Sequence, residues 1–304
     1  MRRLLACALG AVVALSACTG TDPDPSVTAS PVGDIDLITV GQSETLAPSL
    51  TYDTGLDYPQ EQASVLWNGE GAPLEDGQPL LLDLYGESLT DATPVVNTFD
   101  GLPQSFVLTE ESLGEALYET LVDLNVGARV LTVSPGDGSA DQPPVAIVMD
   151  VRSEAAVGDQ VAAPERMPSV TMDADGAPML EIAEDAPTVT DLQVATLIRG
   201  VGPQVTQTSR VLLNYSAFYY TDGENDEDGE WAAGDLFRSS WGTDQEPLTV
   251  DMDAGQAVQG LTQGILDQTE GSRVEIVVPG SMGYPSRGTM VVVVDILDVW
   301  NSEE

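Results

Sequence analysis

Gly271-Ser272-Arg273-Val274-Glu275-Ile276-Val277-Val278-Pro279 repeats the pattern of Gly127-Ala128-Arg129-Val130-Leu131-Thr132-Val133-Ser134-Pro135. Both have a glycine, an arginine two residues on, a β-branched run and a closing proline. Working outward, Leu81-Leu82-Asp83-Leu84-Tyr85 pairs with Val211-Leu212-Leu213-Asn214-Tyr215, and Pro48-Ser49-Leu50-Thr51-Tyr52-Asp53 with Pro168-Ser169-Val170-Thr171-Met172-Asp173. The order is kept while the spacing grows from 120 through 130 to 144 positions. Two copies of one unit with loop insertions behave this way; a solenoid repeats every 20 to 50 residues or so. The split falls near Gly158 to Arg166, which gives units at 47–158 and 159–304.

Each unit is mainly β-structure. Val145 to Val151 and Met290 to Ile296 are rich in β-branched residues and flanked by glycine and proline. One apolar helical face stands out in each: Leu113, Leu117, Leu121 and Leu124 in the first, Ala257, Leu261 and Ile265 in the second. The expected class is α+β, an antiparallel sheet wrapped on one short helix, twice over. Met290 to Val294 reads as a buried central strand, because Asp295 and Asp298 interrupt it long before the roughly 20 apolar residues of a membrane helix.

Composition narrows the chemistry. The 304 residues hold 50 Asp plus Glu against 10 Lys plus Arg, all of the latter arginine, and no histidine, for a net charge of −40. Without histidine there is no Ser/His/Asp triad, no Cys/His pair and no imidazole-ligated zinc, and two cysteines are too few for a thiolate cluster. The charge argues against nucleic acid, which is bound by Lys and Arg that release counterions. No cofactor is expected.

The N-terminus has the organisation of an export signal. Met1-Arg2-Arg3 is cationic, Leu4 to Leu15 is apolar, and Leu15-Ser16-Ala17-Cys18 ends it in small residues before a cysteine. This resembles a bacterial lipoprotein signal, with 1–17 removed and Cys18 lipidated. The expected location is extracytoplasmic, with the membrane reached through the lipid anchor only. Cys7 would leave with the signal, so the mature chain would have no disulfide. Residues 18–46, rich in Pro, Ser, Thr, Gly and Asp, read as a disordered tether reaching about 30 Å.

The second unit is similar to the FKBP-type peptidyl-prolyl isomerases, a family with a half-barrel antiparallel sheet wrapped on a short helix. The segments that carry the likeness are Val211 to Tyr215, Leu236-Phe237-Arg238-Ser239-Ser240, Pro247-Leu248-Thr249-Val250 and Ala257-Val258-Gln259-Gly260-Leu261. Gly271-Ser272-Arg273, Val278-Pro279 and Tyr284, and the closing Met290 to Val299, follow in order. The resemblance implies two FKBP-like units, the first degenerate, and isomerisation of Xaa-Pro bonds in exported, proline-containing polypeptides. It places Tyr215, Phe237, Val250 and Val292 around an apolar pocket with Leu261 as floor and Leu248 and Ala257 at its wall. Val258 would offer its backbone N–H and Tyr284 its hydroxyl. Four departures stand out: Leu261 replaces a tryptophan, Leu248, Val250 and Val292 replace aromatics, Arg238 replaces an aspartate, and the loop after Tyr284 is cut to Pro285-Ser286-Arg287-Gly288. In the first unit Tyr85 and Phe99 match, but nothing after Pro135 supplies the second tyrosine, so no activity is expected there.

Two other readings accompany this one. A non-catalytic peptide-binding chaperone is favoured by Leu261 and Arg238; a solute-binding lipoprotein would need alternating strands and helices in two α/β lobes. Glu224-Asn225-Asp226-Glu227-Asp228-Gly229, running on to Asp235, has an EF-hand-like spacing with the wrong residues at both ends, and reads as a solvated acidic insertion. No metal site is assigned.

Overall fold

The computed structural model describes residues 31–301 apart from 44, 45, 138, 140, 141, 243 and 244. The expected signal at 1–17, Cys18 and the tether as far as residue 30 lie outside the described residues. The remainder of that tether is not free chain. Ile35–Leu37 form a 3-10 turn, Ile35 and Ile38 are buried beside Tyr58, Leu131, Val133 and Val148, and Thr39–Val40 pair with Leu50–Thr51. The one apolar cluster of that segment, Ile35-Asp36-Leu37-Ile38, finds a sheet face to cover, and burying it outweighs the ordering of a few residues.

Two antiparallel sheets dominate, with few helices. The first runs Gln62–Trp67, Arg129–Ser134, Val145–Arg152, Pro79–Ser88, Pro94–Asn97, with Gln104–Val107 also paired to Pro79–Ser88. The second runs Asp159–Gln160, Gln193–Arg199, Arg273–Val278, Met290–Trp300, Arg210–Tyr219, Leu236–Ser239, with Leu248–Asp251 also paired to Arg210–Tyr219. Apart from the short strand Asp159–Gln160, the strand orders are the same.

An ion pair recurs at corresponding places in the two sheets. Arg129 stands opposite Asp150 and Arg273 opposite Asp295 in equivalent strand pairs. Each pair is bidentate, with Arg273 Nε and Nη2 donating to Asp295 at 2.6 and 2.7 Å. Asp83 in turn faces Asp150, and Asn214 faces Asp295. Asp83 is therefore the counterpart of Asn214, one position away from the pairing of Tyr85 with Tyr215 that the sequence suggests. In a strand a slip of one residue reverses every side chain. Leu80, Leu82 and Leu84 face the helix-side core, whereas Tyr85 is on the other face with its hydroxyl on Glu87. The counterpart of Tyr215 is Leu84, and Tyr85 is not a surviving pocket residue.

The helices are shorter than the leucine spacing predicts. Glu110–Leu113 and Glu115–Leu121 are separate, because Gly114 sits at φ 81, ψ 155, and Leu124 lies past the second helix while still joining the core. In the second unit the helix is Gln259–Ile265, so Ala257 precedes it. It lies close on Arg273–Val278 because two buried positions are glycine: a Cβ on Gly264 would fall 2.5 Å from Ile276 Cδ1, and one on Gly260 2.3 Å from Val278 Cγ1. Gly264→Ala is expected to lower stability by about 1–3 kcal/mol through overpacking. A urea titration that leaves the midpoint unchanged would refute that packing.

The sheets meet through Arg152. Its guanidinium pairs with Asp83 of the first sheet at 3.1 Å and with Glu270 and Asp298 of the second unit at 2.7 and 3.5 Å. Leu81, Leu102, Leu212 and Leu297 pack together across the junction. One cation cannot neutralise three largely buried carboxylates. Burial foremost, then Glu270, pushes the Asp298 carboxyl up to about 7, against the pull of Arg152.

Candidate functional site

Alternation along Arg210–Tyr219 sends Val211, Leu213, Tyr215, Ala217 and Tyr219 to the core beneath the helix. Asn214, between them, points the other way and donates to the Glu154 carbonyl at 2.9 Å. Three elements then close on the tyrosine face. Leu236–Ser239 brings Phe237 in from the edge, the segment ahead of Gln259–Ile265 brings Ala257 and Val258, and the turn after Arg273–Val278 brings Tyr284.

The geometry is that of an aromatic cup. Phe237 packs edge-on to Tyr219 at 5.6 Å and to Tyr284 at 5.7 Å between ring centroids. Tyr215, Ala257 and Val258 flank the core made by Val250, Leu261 and Val292. The Ser240 hydroxyl accepts from the Tyr215 N–H and donates to Asn214 Oδ1, both at 2.9 Å, which fixes the backbone that carries Tyr215. Val258 is the helix N-cap, and its N–H donates to no group among the described residues. Tyr284 is 37% exposed, so its ring lies at the mouth. Burial raises the Tyr215 hydroxyl, against Arg238, whose guanidinium lies beside it. No neutral-pH titration is therefore available from that tyrosine, and the cup offers shape and hydrogen bonds only.

The structure brings Tyr215, Phe237, Val258, Leu261, Tyr284, Val250, Ala257 and Val292 to one face. Leu248 shares that face by its register with Leu213 but lies exposed at the rim. Arg238 is exposed too, its guanidinium 5.5 Å from the Phe237 centroid. Trp241 lies away from the cup and lines a cleft of about 810 Å³ between the sheets, together with Asn214 and Glu154.

Sequence reasoning missed Tyr219 and Arg287 as parts of the site, and named Trp231 and Trp241 as nearby aromatics without being able to place them. The acidic insertion is largely exposed but ordered: Gly223–Asn225 and Gly229–Trp231 form a hairpin that lays Trp231 flat on Tyr219 at 4.4 Å. From the shortened loop, Arg287 reaches over the cup, 4.7 Å from the Phe237 centroid and 5.2 Å from that of Tyr284. Asp228 and Glu227 of the hairpin hold it there, and its side chain is only 10% exposed. The Arg287 hydrogen bond in turn holds the Asp228 carboxyl below the usual range. No group of three or more metal-ligating side chains converges among the described residues. Alternation could have found Tyr219; nothing in the sequence shows that a four-residue loop would turn its arginine inward.

A sheet closes an aromatic cup over a short helix, with an N–H at the helix entrance that has no partner among the described residues, as the likeness to the FKBP type leads one to expect. In agreement, residues 202–294 match the sequence model of the FKBP-type peptidyl-prolyl cis-trans isomerase family, and the chain carries an FKBP-type domain there. It is 28% identical over 98 residues to an FK506-binding protein of Streptomyces anulatus, covering 32% of this chain and 69% of that one. It is 26% identical over 118 residues to an FK506-binding protein of Neisseria meningitidis, covering 36% and 96%. Among solved structures it is similar to FkpA from Escherichia coli (21% identity, TM-score 0.29), covering 44% of this chain and 53% of that one. The three FKBP domains of wheat FKBP73 are matched at 16% identity and TM-score 0.30, over 79% and 94%.

Proposed function

We propose that the second unit is a peptidyl-prolyl cis-trans isomerase that acts on exported polypeptides, anchored outside the cytoplasmic membrane through Cys18. On this reading the first unit is an inactive FKBP-like copy, with Leu84 where the second has Tyr215. The observation that carries the proposal is the convergence of Tyr215, Phe237 and Tyr284 with the Val258 N–H over an apolar floor, within the segment that matches the family.

Rotation about a prolyl amide sacrifices C–N resonance against a barrier of about 18–20 kcal/mol. Water stabilises the planar, more charge-separated amide, so a dry cup destabilises the ground state relative to the twisted one. The proline ring would lie on Phe237 above Leu261. The Val258 N–H would hold the carbonyl of the bound chain, and the Tyr284 hydroxyl would hold the rotated one, so that the donors act where the transition state needs them. No acid, base or metal takes part, which suits a chain without histidine or lysine.

Arg287 occupies the same aromatic faces and must be displaced, which favours one second reading, a non-catalytic peptide-binding chaperone. NMR exchange measurements on short Xaa-Pro peptides with the lipid-free protein from residue 19 distinguish the two. Isomerisation predicts accelerated cis/trans exchange, faster again in Arg287→Ala. Peptide binding or suppressed aggregation at an unchanged exchange rate would overturn it in favour of the chaperone.

A further inference from the structure

Arg129, Arg152, Arg210, Arg273 and Arg287 each hold a carboxylate within 4 Å. Arg238, like Arg166 and Arg199, holds none among the described residues, although the chain has five acids for every cation. Its surroundings are the Phe237 ring, at 5.5 Å, and the Tyr215 hydroxyl. The strand Leu236–Ser239 pairs on one side only, with Arg210–Tyr219, so Arg238 stands on an open edge beside the cup. Arg287, the other guanidinium over Phe237, is already neutralised by Asp228 and Glu227. Among the described residues the rim thus has one positive charge without a carboxylate partner, next to the ring on which a proline would lie.

We propose that Arg238 is a specificity-determining residue that selects peptides with an acidic side chain adjacent to the proline. The inference rests on the isomerase reading and deepens it by naming the substrate class. A carboxylate beside the bound proline would meet the Arg238 fork, a planar array of donors suited to bidentate contact. The negative field of the rest of the chain is screened beyond about 8 Å at physiological ionic strength, so at the rim the nearest charge decides. Because the site is exposed, the expected preference is modest, about three- to fivefold.

The test compares kcat/KM for Ala-Xaa-Pro-Phe peptides with Xaa as Glu, Leu or Lys, together with binding of each peptide followed by tryptophan fluorescence. Leucine is the reference, because lysine peptides are attracted by the whole acidic surface. The expected Glu-to-Leu ratio is about three to five in the wild type, shrinking in 0.5 M salt. Arg238→Lys should keep a ratio above one, and Arg238→Asp should invert it and raise the lysine peptide. Catalysis of the leucine peptide with a ratio of one or less overturns the selectivity and leaves the isomerase reading standing. Binding without catalysis overturns the isomerase reading, and the Glu-to-Leu affinity ratio then judges Arg238. Neither catalysis nor binding of any peptide overturns both.

Discussion

Arg273→Ala is expected to lower stability by about 3–5 kcal/mol, the largest loss foreseen for any single substitution in this protein. Asp295 is fully buried and receives two hydrogen bonds from Arg273, so removing the cation leaves a carboxylate without its charge partner in the middle of the sheet. The pair fixes more than one strand. Asp295 also accepts from the Ala156 N–H of the segment that joins the two units, and Arg273 Nη1 reaches Met172 Sδ of the hairpin Ser169–Met172/Pro178–Glu181 at 2.9 Å. The lost charge, not the lost volume, is the cause, so replacing both partners by apolar residues of similar size, Arg273→Met with Asp295→Leu, should recover much of the loss. Guanidinium titrations of the two variants check this. A single substitution that costs under 1 kcal/mol would mean that water or another cation serves Asp295.

Glu275→Gln is expected to stabilise the protein at pH 8 by about 3 kcal/mol and to do almost nothing at pH 4. Glu275 is 0% exposed, and neither carboxyl oxygen has a hydrogen-bond partner. Burial alone pushes it up to about 7. The sign follows from the raised value. The folded protein keeps a proton that the unfolded chain releases near 4.5, so the contribution is fully present below that pH and is lost as pH rises to about 7. Glu154, half-buried beside the inter-sheet cleft, and Asp298 at the junction are raised to about 7 as well. The wild type should therefore melt at a higher temperature at pH 5 than at pH 8, and Glu275→Gln should flatten part of that slope. A variant less stable than the wild type at pH 8 would show that the carboxylate is paired in solution.

Glu275 also shows what the sequence could not reveal. The β-branched run around it predicts a strand, and the strand is there, but alternation alone does not say that the polar face is covered. The hairpin from Ser169 to Glu181 and Met167, Ile182 and Val189 bury that side of the sheet, and nothing in their composition announces it. The matched glycine-arginine segments were the readable part, because both sheets place the same ion pair at the same register. Their very likeness misled at Tyr85, where an alignment one residue off still matched aromatic to aromatic while the pleat put the two on opposite faces. The cup was legible only through the resemblance, which implied that Tyr215, Phe237, Val258 and Tyr284 meet. Its cover was not: Arg287 and Trp231 arrive from a truncated loop and an acidic insertion, whose conformations depend on each other and on the cup they close.

The most direct measurement is the refolding of a protein whose slow phase is a prolyl isomerisation, followed with catalytic amounts of the lipid-free protein. Isomerase function predicts that the slow phase accelerates in proportion to enzyme concentration and that Tyr215→Ala or Phe237→Ala, shown to be folded by circular dichroism, removes most of the acceleration. A slow phase that stays constant with the intact protein, or one that is accelerated equally by the two variants, would contradict it.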